Sequence, residues 1–252
     1  MPLHLSEPAR YIALITIDNQ SKRNAMSREM MAELAATWDR LAVSPTCRAI
    51  VVTGSGDQAF CAGADVGGDL SASEDIARIV NRSLLKTTTF PKPLIAAVNG
   101  VCAGGGVELL LASDIRIAAA HARFGLPEVK WSIYPFGGAT VKLVQQIGYV
   151  HAMDLILTGR LVDAEFAREI NLINRVCPAA DVLSSAIETA TTIAANSPSA
   201  VQAVKRQISN CIAEHALGRE ALEQQLGDEV RASKYFAEGV AAFREKRQPN
   251  YD

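Results

Sequence analysis

Residues 93–122 constrain the fold more than any other part of this sequence. These thirty residues contain only three formal charges, at Glu108, Asp114 and Arg116. A segment with so few charges belongs inside a folded protein, where its apolar side chains leave water. No strictly apolar run in the chain approaches the roughly 20 residues that a membrane-spanning helix needs. The sequence therefore predicts a compact core built around this stretch.

Strand and helix patterns alternate through the first part of the chain. Apolar runs typical of buried strands occupy residues 11–18, 48–53, 94–98, 115–119 and 171–176. Ser27 is placed to cap a helix whose apolar residues recur at helical spacing, namely Met30, Leu34, Trp38 and Leu41. Further helices are predicted over 73–89, 137–147 and 151–157. This alternation predicts an α/β fold.

The last part of the chain has a helical pattern throughout. From about Asp181 onward the chain is rich in Ala and Leu, and breaks between helices are predicted at Ser197-Pro198, Gly218 and Gly227. Such helices suit packing against the core or against another subunit. We therefore expect two regions, a core over residues 1–195 and a helical region over residues 196–252.

Composition excludes several classes of protein. The chain has 252 residues, of which 49% are hydrophobic and 21% charged, so it can bury a sizeable core and is not disordered. A formal net charge of −2 argues against binding nucleic acid through a basic surface. The first residues lack a signal-peptide pattern, so a cytoplasmic location is expected. The five cysteines and four histidines are dispersed, which predicts neither a metal site nor a disulfide framework.

Three short stretches could carry chemistry. Residues 60–65 put small side chains after a strand and a turn, where a ligand could approach the backbone closely. Residues 99–109 contain three successive glycines before a helical run, and free N–H groups at a helix start suit an anion or a developing oxyanion. This stretch is neither a Walker A loop nor GxGxxG. Residues 124–129 follow, and lead into aromatic residues and a glycine pair.

Two carboxyls stand in apolar surroundings. Glu108 either balances the positive end of its helix or serves a function, since a Glu among Val and Leu is normally paired or functional. Glu128 follows a proline, which is also the pattern of a surface turn. Two carboxyls in one apolar pocket would separate the roles of acid and base by their environments. Asp114 and Arg116 flank a strand, and we expect them to form a structural pair.

Together these stretches resemble the crotonase superfamily, the enoyl-CoA hydratase/isomerase family. The similarity covers nearly the whole chain, and its pieces are residues 19–26, 62–65, 99–108, 124–128 and 238–247. Each piece is modest, but their order and spacing together are very specific. The resemblance implies a crotonase-like spiral of ββα turns with a C-terminal α-helical oligomerisation region. It also implies a homotrimer, or a hexamer formed as a dimer of trimers.

The resemblance further implies a ligand. The substrate would be a coenzyme A thioester, with no prosthetic group, and the core over residues 1–195 would bind and convert it. The thioester oxygen would lie between the backbone N–H groups of Ala64 and Gly105, which form an oxyanion hole. Coenzyme A would contact Lys22, Arg23, Ala25, Ala62, Ala64, Asp65, Val66, Phe243 and Lys246, the last two from a neighbouring subunit. A few local cations would thus bind a polyanion without a basic composition.

The two carboxyls indicate the reaction within this family. Hydratases resemble this chain in having both, so Glu108 would activate water for attack on the β-carbon. Glu128 would exchange the proton at the α-carbon. The resemblance therefore implies an enoyl-CoA hydratase, a carbon–oxygen lyase that converts a trans-2-enoyl-CoA to a 3-hydroxyacyl-CoA. The alternatives are an isomerase or a hydroxyacyl-CoA dehydratase of the same family, and a non-catalytic acyl-CoA-binding member.

Some positions depart from the family pattern. Trp131, Tyr134 and Phe136 add bulk before the glycine pair, and we expect them to line the acyl pocket. Core packing is the alternative for Trp131, because Trp is mostly buried wherever it occurs. Lys22-Arg23 replaces a proline-containing loop, and is either a solvated loop or a phosphate clamp.

Overall fold

The computed structural model describes residues 3–65 and 74–252, which alternate strands and helices before ending in long helices. The strands are β1 (Leu3–Ala9), β2 (Ile12–Ile17), β3 (Ala49–Gly54), β4 (Ala59–Cys61), β5 (Leu94–Val98), β6 (Val101–Ala103), β7 (Ile115–Ala119), β8 (Arg123–Gly125), β9 (Val162–Asp163) and β10 (Arg175–Cys177). The α-helices are α1 (Arg28–Val43), α2 (Glu74–Ser83), α3 (Gly105–Leu111), α4 (Ala139–Ile147), α5 (Tyr149–Thr158), α6 (Ala164–Glu169), α7 (Val182–Ala195), α8 (Pro198–Ala232) and α9 (Lys234–Glu245). Short 3-10 helices cover Gln20–Lys22, Pro127–Trp131 and Ala179–Asp181. The α/β fold predicted from the sequence is confirmed.

The strands form two sheets. The larger has the order β1-β2-β3-β5-β7-β10 and is parallel except for the antiparallel pair β1 and β2. The smaller has the order β4-β6-β8-β9, in which only β9 runs antiparallel to its neighbour. Successive stretches of chain give one strand to each sheet: β3 then β4, β5 then β6, β7 then β8. This repetition is the predicted spiral of ββα turns.

The larger sheet is the centre of the core. Every residue of β3 and β5 is buried, because helices cover both faces of the sheet. The buried apolar series of α1, which includes Leu34 and Trp38, packs on one face as predicted, and the alanines of α7 pack on the other. Ser27 caps α1, since its side chain accepts a hydrogen bond from Met30 N at 3.3 Å.

The helical region differs from its prediction in one respect. A helix boundary at Ser197-Pro198 is confirmed, since Pro198 opens α8. The predicted breaks at Gly218 and Gly227 are wrong, because α8 runs through both to Ala232. A glycine costs a helix only about 1 kcal/mol, and the Phe136 ring packs beside Gly227, with Cδ2 3.4 Å from where a Cβ would lie. No helix of the described residues combines the length and apolarity needed to cross a membrane.

The predicted pair of Asp114 and Arg116 is also wrong. The Asp114 carboxylate accepts hydrogen bonds from Lys205 Nζ and from Leu94 N, both at 2.7 Å. The Arg116 guanidinium donates instead to backbone carbonyls, at 2.9 Å to Leu172 O and 3.1 Å to Ser113 O. Asp114 is therefore partnered by α8 and β5, and Arg116 reaches the turn before β10. That turn begins at residue 170, so the predicted strand over 171–176 is reduced to the short β10.

Candidate active site

The ends of three neighbouring strands build the site. β4, β6 and β8 lie side by side and run parallel, so the segments that follow them meet at one edge of the smaller sheet. Gly63 follows β4, Gly104 follows β6 and Glu128 follows β8. A Cβ on Gly63 would lie 3.2 Å from Gly105 N, and one on Gly105 would lie 3.6 Å from Ala64 N. The two glycine-rich stretches found in the sequence are therefore in contact.

Two backbone N–H groups in these stretches have no acceptor among the residues that the structure describes. Gly105 opens α3, and the first amides of a helix have no partner inside it. Ala64 forms a bridge with Met26, but the hydrogen bonds of that bridge use Met26 N and Asp65 N and leave Ala64 N out. Among residues 3–65 and 74–252, neither amide donates a hydrogen bond. The structure thus brings together the pair that the family resemblance implies as an oxyanion hole.

Glu108 lies in the first turn of α3 and is buried. Its Oε1 accepts hydrogen bonds from Gly137 N at 2.5 Å and from Ala139 N at 3.4 Å. A Cβ on Gly137 would overlap the Glu108 carboxyl, so only glycine fits there. Burial raises the pKa of Glu108 above its ordinary value, and the two backbone hydrogen bonds partly oppose this by favouring the charged form.

Glu128 lies in the 3-10 helix Pro127–Trp131, against the glycine turn that precedes α3. A Cβ on Gly104 would lie 3.0 Å from Glu128 Oε1. Glu128 Oε2 is buried, and it has no hydrogen-bond partner among the described residues. Burial raises the pKa of Glu128, and the negative charge of Glu108 raises it further. Both carboxyls therefore hold a proton at a higher pH than an exposed Glu, as acid–base groups require.

The residues expected to bind coenzyme A lie in two places. Lys22, Asp65, Phe243 and Lys246 line one cleft of about 770 Å³. Its other lining residues are Trp131, Arg244, Arg247 and Gln248. Lys22 Nζ pairs with Asp65 Oδ2 at 2.6 Å across this cleft.

The remaining coenzyme A residues belong to the loops beside the glycine stretches. The carbonyl of Arg23 accepts a hydrogen bond from Ala62 N at 3.1 Å, which joins the 19–26 loop to the segment after β4. Where the 19–26 loop meets the segment after β4, Ala64 is exposed and Ala25 is buried. Val66 lies outside the described residues.

Phe243 and Lys246 line the cleft of their own chain, whereas the resemblance implies that a neighbouring subunit supplies them. The reason is that α9 folds back onto the 3-10 helix Pro127–Trp131. The rings of Trp131 and Phe243 meet edge to face, with 5.2 Å between their centroids. A Cβ on Gly239 would overlap Trp131 O, so α9 packs in backbone contact with this segment.

The three aromatic residues expected in the acyl pocket do not share one wall. Trp131 faces α9 and the cleft. The Tyr134 hydroxyl donates to Thr140 Oγ1 at 3.4 Å. Phe136 packs toward Gly227 of α8, and its ring centroid also lies 4.4 Å from Lys86 Nζ. Their place in the acyl pocket stays a prediction.

Sequence reasoning missed a set of buried charges beside Glu108. Lys86 Nζ pairs with Glu223 Oε2 at 3.0 Å, and both side chains are buried. Lys142 Nζ donates to Leu85 O at 2.6 Å, and burial lowers the pKa of this lysine to about 8. Lys86 directly follows two leucines, which is a weak local signal of burial. Glu223 has no such signal, because it stands among polar residues of α8.

Comparison with known proteins decides the family. Residues 7–252 match the family model described as enoyl-CoA hydratase/isomerase. The chain belongs to this family. The enoyl-CoA hydratase EchA19 of Mycobacterium tuberculosis is 40% identical in an alignment of 259 positions, which covers 99% of this chain and 96% of that relative. The 2,3-dehydroadipyl-CoA hydratase of Escherichia coli is 32% identical, over 95% of this chain and 94% of its own length.

Solved structures agree with this family. The crystal structure of carnitinyl-CoA hydratase from Mycobacterium avium has a TM-score of 0.90 and 34% identity, and the match covers 100% of this chain and 98% of that one. EchA1_1 from Mycobacterium paratuberculosis also has a TM-score of 0.90, at 33% identity and with the same coverage. The crotonase-like fold implied by the sequence motifs is confirmed.

Proposed function

We propose that this protein is an enoyl-CoA hydratase, which adds water to a trans-2-enoyl-CoA to give a 3-hydroxyacyl-CoA. The observation that carries the proposal is the pair of carboxyls, the buried Glu108 and Glu128 with its buried Oε2, beside two backbone N–H groups that donate to no acceptor in the described part of the chain. Relatives named as hydratases over nearly the full chain support it.

The thioester oxygen binds to the N–H groups of Ala64 and Gly105. When water adds to the β-carbon, negative charge moves through the conjugated system onto this oxygen. Two donors already in place stabilise that charge without having to reorganise. The loss of one such donor typically costs about 100- to 1000-fold in rate. The rigid glycine turns therefore contribute to catalysis directly.

The two carboxyls divide the proton transfers. Glu108 accepts a proton from water as the oxygen of that water bonds to the β-carbon. Glu128 gives its proton to the α-carbon, and this protonation removes the negative charge from the thioester oxygen. The proton that Glu108 accepted then passes to Glu128, which restores the starting state of both carboxyls. The raised pKa of each group suits this exchange near neutral pH.

The cleft lined by Lys22 and Lys246 holds the phosphates of coenzyme A, next to the exposed backbone at Ala64. Local cations and backbone donors make this possible in a chain whose formal net charge is −2. Acid–base groups and backbone dipoles supply the whole reaction, so the coenzyme A thioester enters as substrate and no prosthetic group takes part.

The helical region forms the contacts between subunits in this proposal. Large apolar side chains along α8 are exposed in the single chain, among them Val204, Ile208 and Leu217, and such surfaces mark interfaces. Light scattering then gives three times the 26.9 kDa of one chain, or six times for the hexamer. The boundary between 1–195 and 196–252 and the cytoplasmic location stay predictions.

The test is an activity screen on enoyl-CoAs of different acyl lengths. The proposal expects that the enoyl absorbance falls and that 3-hydroxyacyl-CoA forms. In Glu108→Ala and Glu128→Ala the absorbance should stay constant and no product should form. A protein that only moves a double bond from the 3- to the 2-position is an isomerase. Coenzyme A binding without turnover of any enoyl-CoA indicates a non-catalytic member.

A further inference from the structure

A buried ion pair lies on the far side of the loop that binds Glu108. Lys86 follows α2 and is 0% exposed, and Glu223 on α8 is 3% exposed. Their Nζ and Oε2 atoms are 3.0 Å apart, and neither atom has a hydrogen-bond partner among the described residues besides this ionic contact. Burying an ion pair removes the hydration of both charges, and this cost offsets much of their attraction. Stability alone is therefore a weak explanation for the pair.

Residues 134–140, called the 134–140 loop although the last two residues begin α4, connect this ion pair to Glu108. At one side of the loop, Gly137 N and Ala139 N donate to Glu108 Oε1. At the other side, Thr140 Oγ1 donates to Glu223 Oε1 at 2.5 Å. Seven residues of backbone thus hold the carboxyl of Glu108 at one point and the carboxyl of Glu223 at another.

Lys86 packs against the same loop. Its Cγ lies 3.1 Å from where a Cβ on Gly138 would stand, and Gly138 has φ +98°, which favours glycine. Its Nζ lies 4.4 Å from the centroid of the Phe136 ring, a cation–π distance. Both members of the ion pair therefore touch the loop, and no conformational change is needed to connect them to Glu108.

We propose that Lys86 and Glu223 are positioning residues for Glu108: they fix the 134–140 loop and keep the charge beside the carboxyl balanced. This inference rests on the proposed function, in which Glu108 is the base. It gives the helical region a part in the active site, because Glu223 belongs to α8.

The charges that face Glu108 determine what each variant does. Glu128 faces it from the 3-10 helix, Lys142 from α4, and the ion pair from α8 and the segment after α2. The Tyr134 hydroxyl of the 134–140 loop also interacts with it and is the same in every variant. Glu223→Gln leaves the Lys86 charge uncompensated, which favours ionised Glu108 and lowers its pKa. Lys86→Met leaves the Glu223 charge uncompensated and raises that pKa. The double variant removes both charges and returns the pKa toward the parent value.

The experiment measures the ionisation of Glu108 directly. Protein carrying 13C-labelled Glu carboxyls is titrated by NMR, and the Glu108 signal is assigned by its loss in Glu108→Gln. The pH profile of kcat/KM for crotonyl-CoA is measured alongside. We expect shifts of roughly one pH unit or more, downward for Glu223→Gln and upward for Lys86→Met, with the double variant close to the parent. Shifts in the same direction, or none, overturn the proposal.

Two further variants separate positioning from folding. Lys205→Met breaks a different ion pair of α8, the one with Asp114, and should leave the Glu108 titration unchanged. A shift as large as that of Lys86→Met would contradict the proposal. Thr140→Val keeps every charge but removes the hydrogen bond from Thr140 Oγ1 to Glu223 Oε1. In this variant kcat should fall about tenfold with KM nearly constant. An unchanged kcat argues against positioning, even if a charge variant fails to fold.

Because the titration needs no turnover, the two hypotheses fail separately. A protein that hydrates no enoyl-CoA refutes the proposed function, while its titration still tests the ion pair. A protein that hydrates enoyl-CoA with unshifted variants refutes only the positioning role.

Discussion

Gly104→Ala perturbs the site at the point where the glycine turn meets Glu128. Gly104 has φ +54° and ψ −125°, and a residue other than glycine holds such a conformation only under strain of about 1–3 kcal/mol. The new Cβ would lie 3.0 Å from Glu128 Oε1, closer than ordinary contacts, so the carboxyl must move. We expect the free energy of unfolding to fall by about 1–3 kcal/mol and Tm by roughly 2–12 °C.

The same substitution should reduce turnover by more than its effect on stability explains. In the proposed function Glu128 is the acid, and a displacement of about 1 Å in such a group can cost roughly 100-fold in rate. The carboxyl need only give by a few tenths of an ångström here, so a smaller loss of turnover is expected from this contact, and strain at Gly104 adds to it by acting on the adjacent Gly105 amide. Gly148→Ala is the matched control, because Gly148 also has a positive φ, +81°, but no atom lies within 4 Å of its Cβ position. Thermal unfolding followed by circular dichroism and initial rates of crotonyl-CoA hydration measure both effects.

Gly148→Ala should lose stability to a similar extent and keep the turnover of the parent. The reasoning would be refuted if Gly104→Ala turned over as fast as the parent. It would also be refuted if both variants lost the same turnover, because the loss could then not come from the contact with Glu128.

Three other predictions concern charge and backbone. The pKa of Glu128 is raised to about 8 in the folded state, so the parent loses stability as pH rises above the unfolded value of about 4.3. In urea unfolding, Glu128→Gln should therefore match the parent at low pH and be more stable at neutral pH, by about 1.4 kcal/mol for each pH unit between the unfolded pKa and the pH of measurement. Lys246→Gln should raise KM for an enoyl-CoA without changing Tm, and added salt should reduce the difference in KM between variant and parent. An unchanged KM would show that this lysine does not attract the phosphates. Gly218→Ala should raise the free energy of unfolding by up to about 1 kcal/mol, because the residue lies inside α8 with open space around it; a loss would show that the helix is interrupted there.

Much of the fold was predictable because burial leaves a mark on the sequence. β5 and β7 coincide with the predicted runs at 94–98 and 115–119, since strands covered on both faces are mostly apolar. The meeting of Glu108 and Glu128 follows from topology, because each comes shortly after a strand of the same parallel sheet. The three-residue strands β4, β6 and β8 were not predicted, since so short a run has no detectable period.

The parts that failed depend on how distant segments pack. Glu223 reaches Lys86 only because α8 lies across the loop of residues 134–140, and nothing near Glu223 in the sequence indicates this. Gly227 is a turn signal by composition, yet packing against the Phe136 ring keeps it inside a helix. Phe243 meets Trp131 through the return of α9, a contact that only the tertiary structure determines.

The central claim is that two buried carboxyls add water to an enoyl-CoA, and the hydration rate of crotonyl-CoA in the parent, Glu108→Gln and Glu128→Gln tests it most directly. These substitutions keep the size of each side chain and remove its ability to exchange a proton. We predict formation of 3-hydroxybutyryl-CoA by the parent, and a rate lower by about 100- to 10,000-fold in each variant, with the fold intact. Parent-like hydration by either variant would contradict the account.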